Sequence, residues 1–168
     1  MSRILTAFLF GLAVPFLAVL VLAYLGRLPV HGTANPSWVE AVIANRAVHT
    51  RLTRDAAGLR NPLQGTQDVL MAGMKTYRDG CAGCHGVSGK ASQWGTRNFY
   101  PRAPQFADHP PKLPAPEMFV AVKHGIRYSG MAGWDGLVSD DDIWQVVTFL
   151  SELKHLPPDV ARAWTTGS

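Results

Sequence analysis

The sequence predicts an all-α fold in which a helical domain follows a single N-terminal transmembrane helix, and three observations carry that prediction. Segments beginning at Gln67 and Ser139 place apolar residues at three- and four-residue intervals. A run from Ile4 to Leu25 holds no charged residue. Nowhere does the chain sustain the apolar/polar alternation of a half-buried strand.

The uncharged run, ILTAFLFGLAVPFLAVLVLAYL, is long enough at about 1.5 Å per residue to cross a hydrocarbon core of roughly 30 Å as a helix. A cleaved signal peptide is the alternative, with Gly32-Thr33-Ala34 as a small-residue cleavage site. Signal h-regions usually run only about 7–15 residues, so the length favours an anchor over 1–27. Pro15 would kink this helix, a cost that neighbouring membrane helices can offset. Arg3 and Arg27 flank the run almost evenly, so charge alone does not orient it.

A linker and helical arm follow over 28–64. Pro29, Gly32 and Pro36 mark the linker, and Ser37 caps a helix predicted from Trp38 to about Gly58. Trp38, Val42, Ile43, Val48 and Leu52 keep helical spacing only loosely, and Arg46, Arg51 and Arg54 lie among them. A partly solvated spacer is the plainer reading; a docking surface for a partner subunit or anionic lipid headgroups is the sharper one. The domain proper is predicted over 65–168, with a C-terminal tail. Leu70, Met71, Met74 and Tyr77 make one face of a helix ending at Asp79-Gly80. A Pro- and Gly-rich middle follows, with one short helical piece from about Pro116 to His124. Ser139 and Asp140–Asp142 then start a helix whose face is Ile143, Val146, Val147 and Leu150, stopping near His155 before Pro157-Pro158.

The first long helix of the domain delivers DGCAGCHGVSG, which contains both cysteines of the chain. Three chemistries compete for C-x-x-C-H. A structural zinc ion wants four Cys/His ligands, but there are no further thiols and no H-x3–5-H pair. A thioredoxin-like disulfide sits between strand and helix, whereas here a helix precedes and a Gly-rich loop follows. The haem reading uses all three residues: Cys81 and Cys84 as thioether attachment points and His85 as the proximal iron ligand, one covalent haem c per chain. Met131, Met118, Met71, Met74, His109 and His124 are the candidates for the other axial position.

The order of helix, CAGCHG, Pro-rich loop, short helix, HGIRYSGMAGW and final SDDDIWQVVTFLSEL resembles a class I cytochrome c domain with one haem, of the membrane-tethered bacterial kind, over roughly Gly65–Leu156. That resemblance implies a cytochrome c fold with the distal ligand on the loop between the short and final helices, where YSGMAGW places Met131, 46 residues after His85. Glycines on either side let the backbone pass close to a ring. It also implies that His85 donates its free ring N–H to a proline carbonyl, Pro104 in preference to Pro101. Arg127, Tyr128, Trp94 and Trp134 are candidates for propionate hydrogen bonds or ring packing, with core packing the commoner role for the aromatics.

Two filled axial positions leave no open site for a substrate, so the expected function is electron transfer rather than catalysis. Covalent haem attachment takes place outside the cytoplasm, which puts the domain in the periplasm of a bacterial inner membrane on a single-pass anchor. There it would pass single electrons from a quinol-oxidising complex or dehydrogenase to an oxidase or reductase, as a free carrier or as a fixed subunit of a larger redox complex. A haem sensor or peroxidase with a displaceable distal ligand is the alternative. The net charge of +4 comes from scattered Lys and Arg and gives no nucleic-acid patch.

Overall fold

A computed structural model of the chain describes residues 3–106 and 109–166, without the side chains of residues 4 and 6. It divides into two compact units, Met1–Ala34 and Asn35–Ser168. Among the described residues there are eight helices and no strand, only two isolated bridges at Val87–Lys90 and Asp135–Val138.

The first unit is one helix, α1 (Arg3–Tyr24), with Pro15 inside it. Its 22 residues span roughly 33 Å, and none of its apolar stretch Ala7–Tyr24 is buried within the chain. By length and composition it can cross a membrane.

The second unit holds α2 (Trp38–Asp55), α3 (Gln67–Gly80), α4 (Ala82–His85), α5 (Gln93–Arg97), α6 (Ala115–His124), α7 (Asp140–Ser151) and α8 (Pro158–Thr166). Its centre is the crossing of α3 and α7, the most extensive helix pair. Leu70, Met74 and Tyr77 of α3 meet Ile143, Val147 and Phe149 of α7, all at most 3% exposed. The backbones touch at Gly73, where an added Cβ would stand 2.1 Å from the Gln145 carbonyl oxygen. Glycine is required there by space, since any side chain would hold the helices apart. α7 starts with a capping box: Ser139 Oγ accepts from Asp142 N at 3.1 Å, and the Asp142 carboxylate accepts from Ser139 N at 3.3 Å.

Tyr77 links this core to the motif. Its ring packs on Phe149 and Trp164 at 6.0 and 5.6 Å between centroids, and its hydroxyl donates to Gly86 O at 2.7 Å. Burial pushes the phenol well above its ordinary pKa of about 10. Below pH 10 the folded and unfolded phenols are both protonated. Above it the unfolded chain ionises first, so stability falls as pH rises. Tyr77→Phe should cost about 1–3 kcal/mol by orphaning the Gly86 carbonyl. It should also flatten the loss of stability above pH 10, which denaturant titrations of both proteins across pH would read.

Three local structures differ from the sequence-based expectations. The C-terminal tail is a helix: Pro158 begins α8 instead of only ending α7, Asp159 lies in the first turn, and Val160 and Trp164 are buried four residues apart. Arg78 Nη2 donates to Ala163 O and Trp164 O at 2.6 and 3.0 Å, tying α8 to α3. α7 ends at Ser151, not His155, because His155 N bonds back three residues to Glu152 O and leaves the α-helical register. The arm is no detached spacer in its C-terminal half: Leu52 and Ala56 are buried, Thr53 Oγ1 donates to Glu117 Oε1 at 2.8 Å, and Asn61 Nδ2 donates to Thr148 Oγ1 at 2.9 Å. The compact unit that contains this half of the arm spans Asn35–Ser168.

Candidate functional site

The C-terminus of α3 fixes the first cysteine. Cys81 N donates to Tyr77 O at 2.7 Å, and the single turn of α4 follows, with His85 N bonded to Cys81 O at 2.9 Å. Both thiols are free and half-buried on this one turn. Burial first, and the neighbouring Cys84 second, push the Cys81 thiol up to about 11. A redox-active C-x-x-C needs a lowered thiol pKa, so the environment argues against disulfide exchange. Among the described residues no three His, Cys, Asp or Glu side chains are grouped to hold a metal ion.

His85 is held from both sides. Its Nδ1 lies 2.8 Å from Pro104 O, and its ring stacks on Phe106 at 4.7 Å and 2°. A carbonyl only accepts, so the proton is on Nδ1 and the Nε2 lone pair is free to bind a metal. Burial lowers the pKa of this imidazole while the Pro104 bond opposes, and the neutral, ligating form prevails at neutral pH.

The loop that presents Pro104 is built around a residue the sequence did not single out. Gln105 Nε2 donates to Cys84 O and Ala103 O at 2.9 and 2.8 Å, and its Oε1 accepts from Ser92 N at 2.6 Å. One amide thus binds α4, the N-cap of α5 and the Pro-rich loop together. α5 in turn lies so close to α4 that a Cβ on Gly95 would stand 1.9 Å from Cys84 O. Nothing in the local pattern PQF announces this role, which appears only once the chain is folded. Gln105→Ala should cost about 1–3 kcal/mol through its orphaned partners, read as a lower denaturation midpoint of the haem-loaded protein.

Met131 sits half-buried on a loop fastened at both ends. Its N–H donates to Ser129 Oγ at 3.1 Å and its carbonyl accepts from Ile126 N at 3.0 Å. Gly125, at φ +69°, brings the loop against itself, since a Cβ there would lie 2.5 Å from Gly133 N. Beyond it, Trp134 N donates to Lys123 O at 3.0 Å, and the far edge of the Trp134 indole rests on Gly80 at the end of α3. Trp134 therefore joins the methionine loop to the helix that ends at Cys81.

The other candidates differ in exposure. Met74 and Met118 are core residues, while Met71, His109 and His124 are exposed. Trp94 is exposed on α5. Arg127 and Tyr128 are exposed, with the guanidinium 5.1 Å from the tyrosine ring centre. They line a cavity of about 1300 Å³ walled by α2, α6 and α7, among whose lining residues none of Cys81, Cys84, His85 and Met131 occurs.

The donor set suits a covalently held haem. Two free thiols and a neutral imidazole with its second nitrogen engaged lie on one turn, and a thioether stands on a separate glycine loop. When bound, such a group supplies an iron atom that gains and loses one electron. The chain's own contribution is to hold His85 in one tautomer and orientation and to keep the methionine loop in place.

Comparison with known proteins agrees. Residues 68–150 match the family described as cytochrome c oxidase, cbb3-type, subunit III. No curated protein matches the chain. Among solved structures it is similar to a chain of the reducing HAO-like protein complex of Kuenenia stuttgartiensis, at 22% identity and a TM-score of 0.39. That similarity covers 57% of this chain and 47% of the other, so this chain spans about half of that protein's length, and a superposition this loose carries no functional argument. The family match and the C-x-x-C-H motif on its helix identify the domain as a monohaem class I c-type cytochrome, an electron-transfer protein that carries haem c covalently.

Proposed function

We propose that the chain is a membrane-tethered cytochrome that relays single electrons between redox partners on the periplasmic side of a bacterial inner membrane. In this reading Cys81 and Cys84 carry the haem, and His85 and Met131 fill the two axial positions. The observation that supports it most is the engagement of His85 Nδ1 by Pro104 O, which dedicates the other ring nitrogen to the iron. A filled distal position leaves small molecules no site, which favours electron transfer over sensing or peroxidase chemistry. α1 serves as the anchor.

The matched family is named for an oxidase subunit, and this favours a fixed place in a larger redox complex over a free carrier. The electron donor is then a quinol-oxidising complex or a dehydrogenase, and the acceptor an oxidase or reductase. The test is a potentiometric titration of the full chain, followed by exposure of the reduced protein to carbon monoxide. A reversible one-electron wave and an unchanged reduced spectrum are expected. Prompt carbon monoxide binding would move the sensor or peroxidase reading ahead. Release in mild detergent separates the two versions of the carrier: a subunit migrates with its complex, a free carrier alone.

A further inference from the structure

The outward face of α2 carries a feature that electron transfer does not use. Leu52 and Ala56 turn that helix inward against the domain, so the opposite side, with Val39, Ile43, Arg46, Thr50 and Arg54, faces solvent. Val39, Val42 and Ile43 are 44%, 60% and 64% exposed, and Trp38 at the N-terminus of the helix is 78% exposed. Arg46 and Arg54 follow them, and neither guanidinium has a hydrogen-bond or ion-pair partner among the described residues. The two carboxylates of α2 lie off this face: Asp55 is paired with Arg51, and Glu40 lines the cavity on the other side. The result is an apolar patch beside unpaired guanidinium groups with no acid among them, a pattern suited to the boundary between acyl chains and anionic headgroups.

The length of chain between the units supplies the second argument. Residues 25–37 join α1 to α2 and extend to at most roughly 45 Å, so an anchored α1 keeps the start of α2 within that reach of the bilayer. We infer that the outward face of α2 lies in the membrane interface, with Val39, Val42 and Ile43 in the acyl boundary and Arg46 and Arg54 on anionic phospholipid headgroups. Arginine places its stem in the apolar layer with its charge among phosphates. The inference rests on the membrane reading of α1. It adds that the haem domain lies against the bilayer by a second, non-covalent contact and does not swing freely on its tether.

The test uses the full haem-loaded chain in phosphatidylcholine vesicles with and without phosphatidylglycerol. Nitroxide labels are placed through Ile43→Cys, Val39→Cys, Phe16→Cys in α1, and the exposed Leu137→Cys as the aqueous reference. Each label is read by collision with oxygen, which concentrates in acyl chains, and with a water-soluble nickel chelate. Labels 43 and 39 should show several-fold more oxygen and less nickel access than label 137, more strongly with phosphatidylglycerol. Arg46→Gln with Arg54→Gln should remove the phosphatidylglycerol dependence. Label 16 immersed with labels 43 and 39 as aqueous as 137 would overturn the inference and leave the anchor standing. Labels 43 and 39 shielded only in native membranes, and aqueous in lipid vesicles, would overturn it in favour of a protein partner. An aqueous label 16 would remove the anchor reading, and the inference with it.

Discussion

Met131→Ala should lower the midpoint potential by a few tenths of a volt, well inside the roughly 0.8 V range over which axial ligands set haem potentials. On the proposed ligation the thioether favours the reduced iron, and alanine leaves that position to water or a stray nitrogen ligand. The weak far-red band of a methionine sulfur on ferric iron should disappear, and the reduced variant should bind carbon monoxide where the parent does not. Met131 lies outside the buried core, and the loop bonds at Ser129, Ile126 and Trp134 involve its backbone or its neighbours. The variant should therefore stay folded, which separates a ligand effect from unfolding. A parent protein without the band, or a variant that keeps its potential, would remove Met131 from the iron and return His124 to consideration.

Gly73→Ala should destabilise the domain by about 2–3 kcal/mol or more, although alanine favours an isolated helix by about 1 kcal/mol over glycine. The clash decides the sign. The new Cβ would stand 2.1 Å from Gln145 O and 2.5 Å from the Gln145 carbonyl carbon, both backbone atoms of α7 that no rotamer change can move. α3 and α7 would have to separate, loosening the contacts of Tyr77 and Phe149 along with it. For a domain of this size the melting temperature should fall by about 5–12 °C. Gly32→Ala in the linker is the control, since open space surrounds that position and its melting temperature should hardly change. Equal stability in the two variants would mean that the crossing is looser than described.

Periodicity and capping residues made the long helices legible. α3 and α7 follow from apolar spacing, and Ser37 and Ser139 cap the helices they were expected to cap. The short pieces were not legible for reasons that can be named. α5 has five residues, too few for any period to register, and depends on Ser92 and on the close approach of Gly95 to α4. α8 was hidden by a proline pair that reads equally well as a stop and as a first turn. The C-x-x-C-H turn could be read because three unusual side chains stand together in sequence. Gln105 could not, since an amide becomes a clamp only when distant carbonyls and N–H groups converge on it.

The α3–α7 crossing also bears on the order in which the protein is made. The cysteines sit at the end of α3, but the surface that buries α3 comes from α7, far downstream, so the helix is synthesised well before its packing partner. In the packed domain Cys81 is held as an unreactive thiol, with its pKa pushed up to about 11. The Cys81 sulfur is therefore less available as a thiolate in the packed domain than on the unpacked helix. Cys81 lies against the core that this crossing closes, so formation of the core and the reactivity of the first cysteine are coupled.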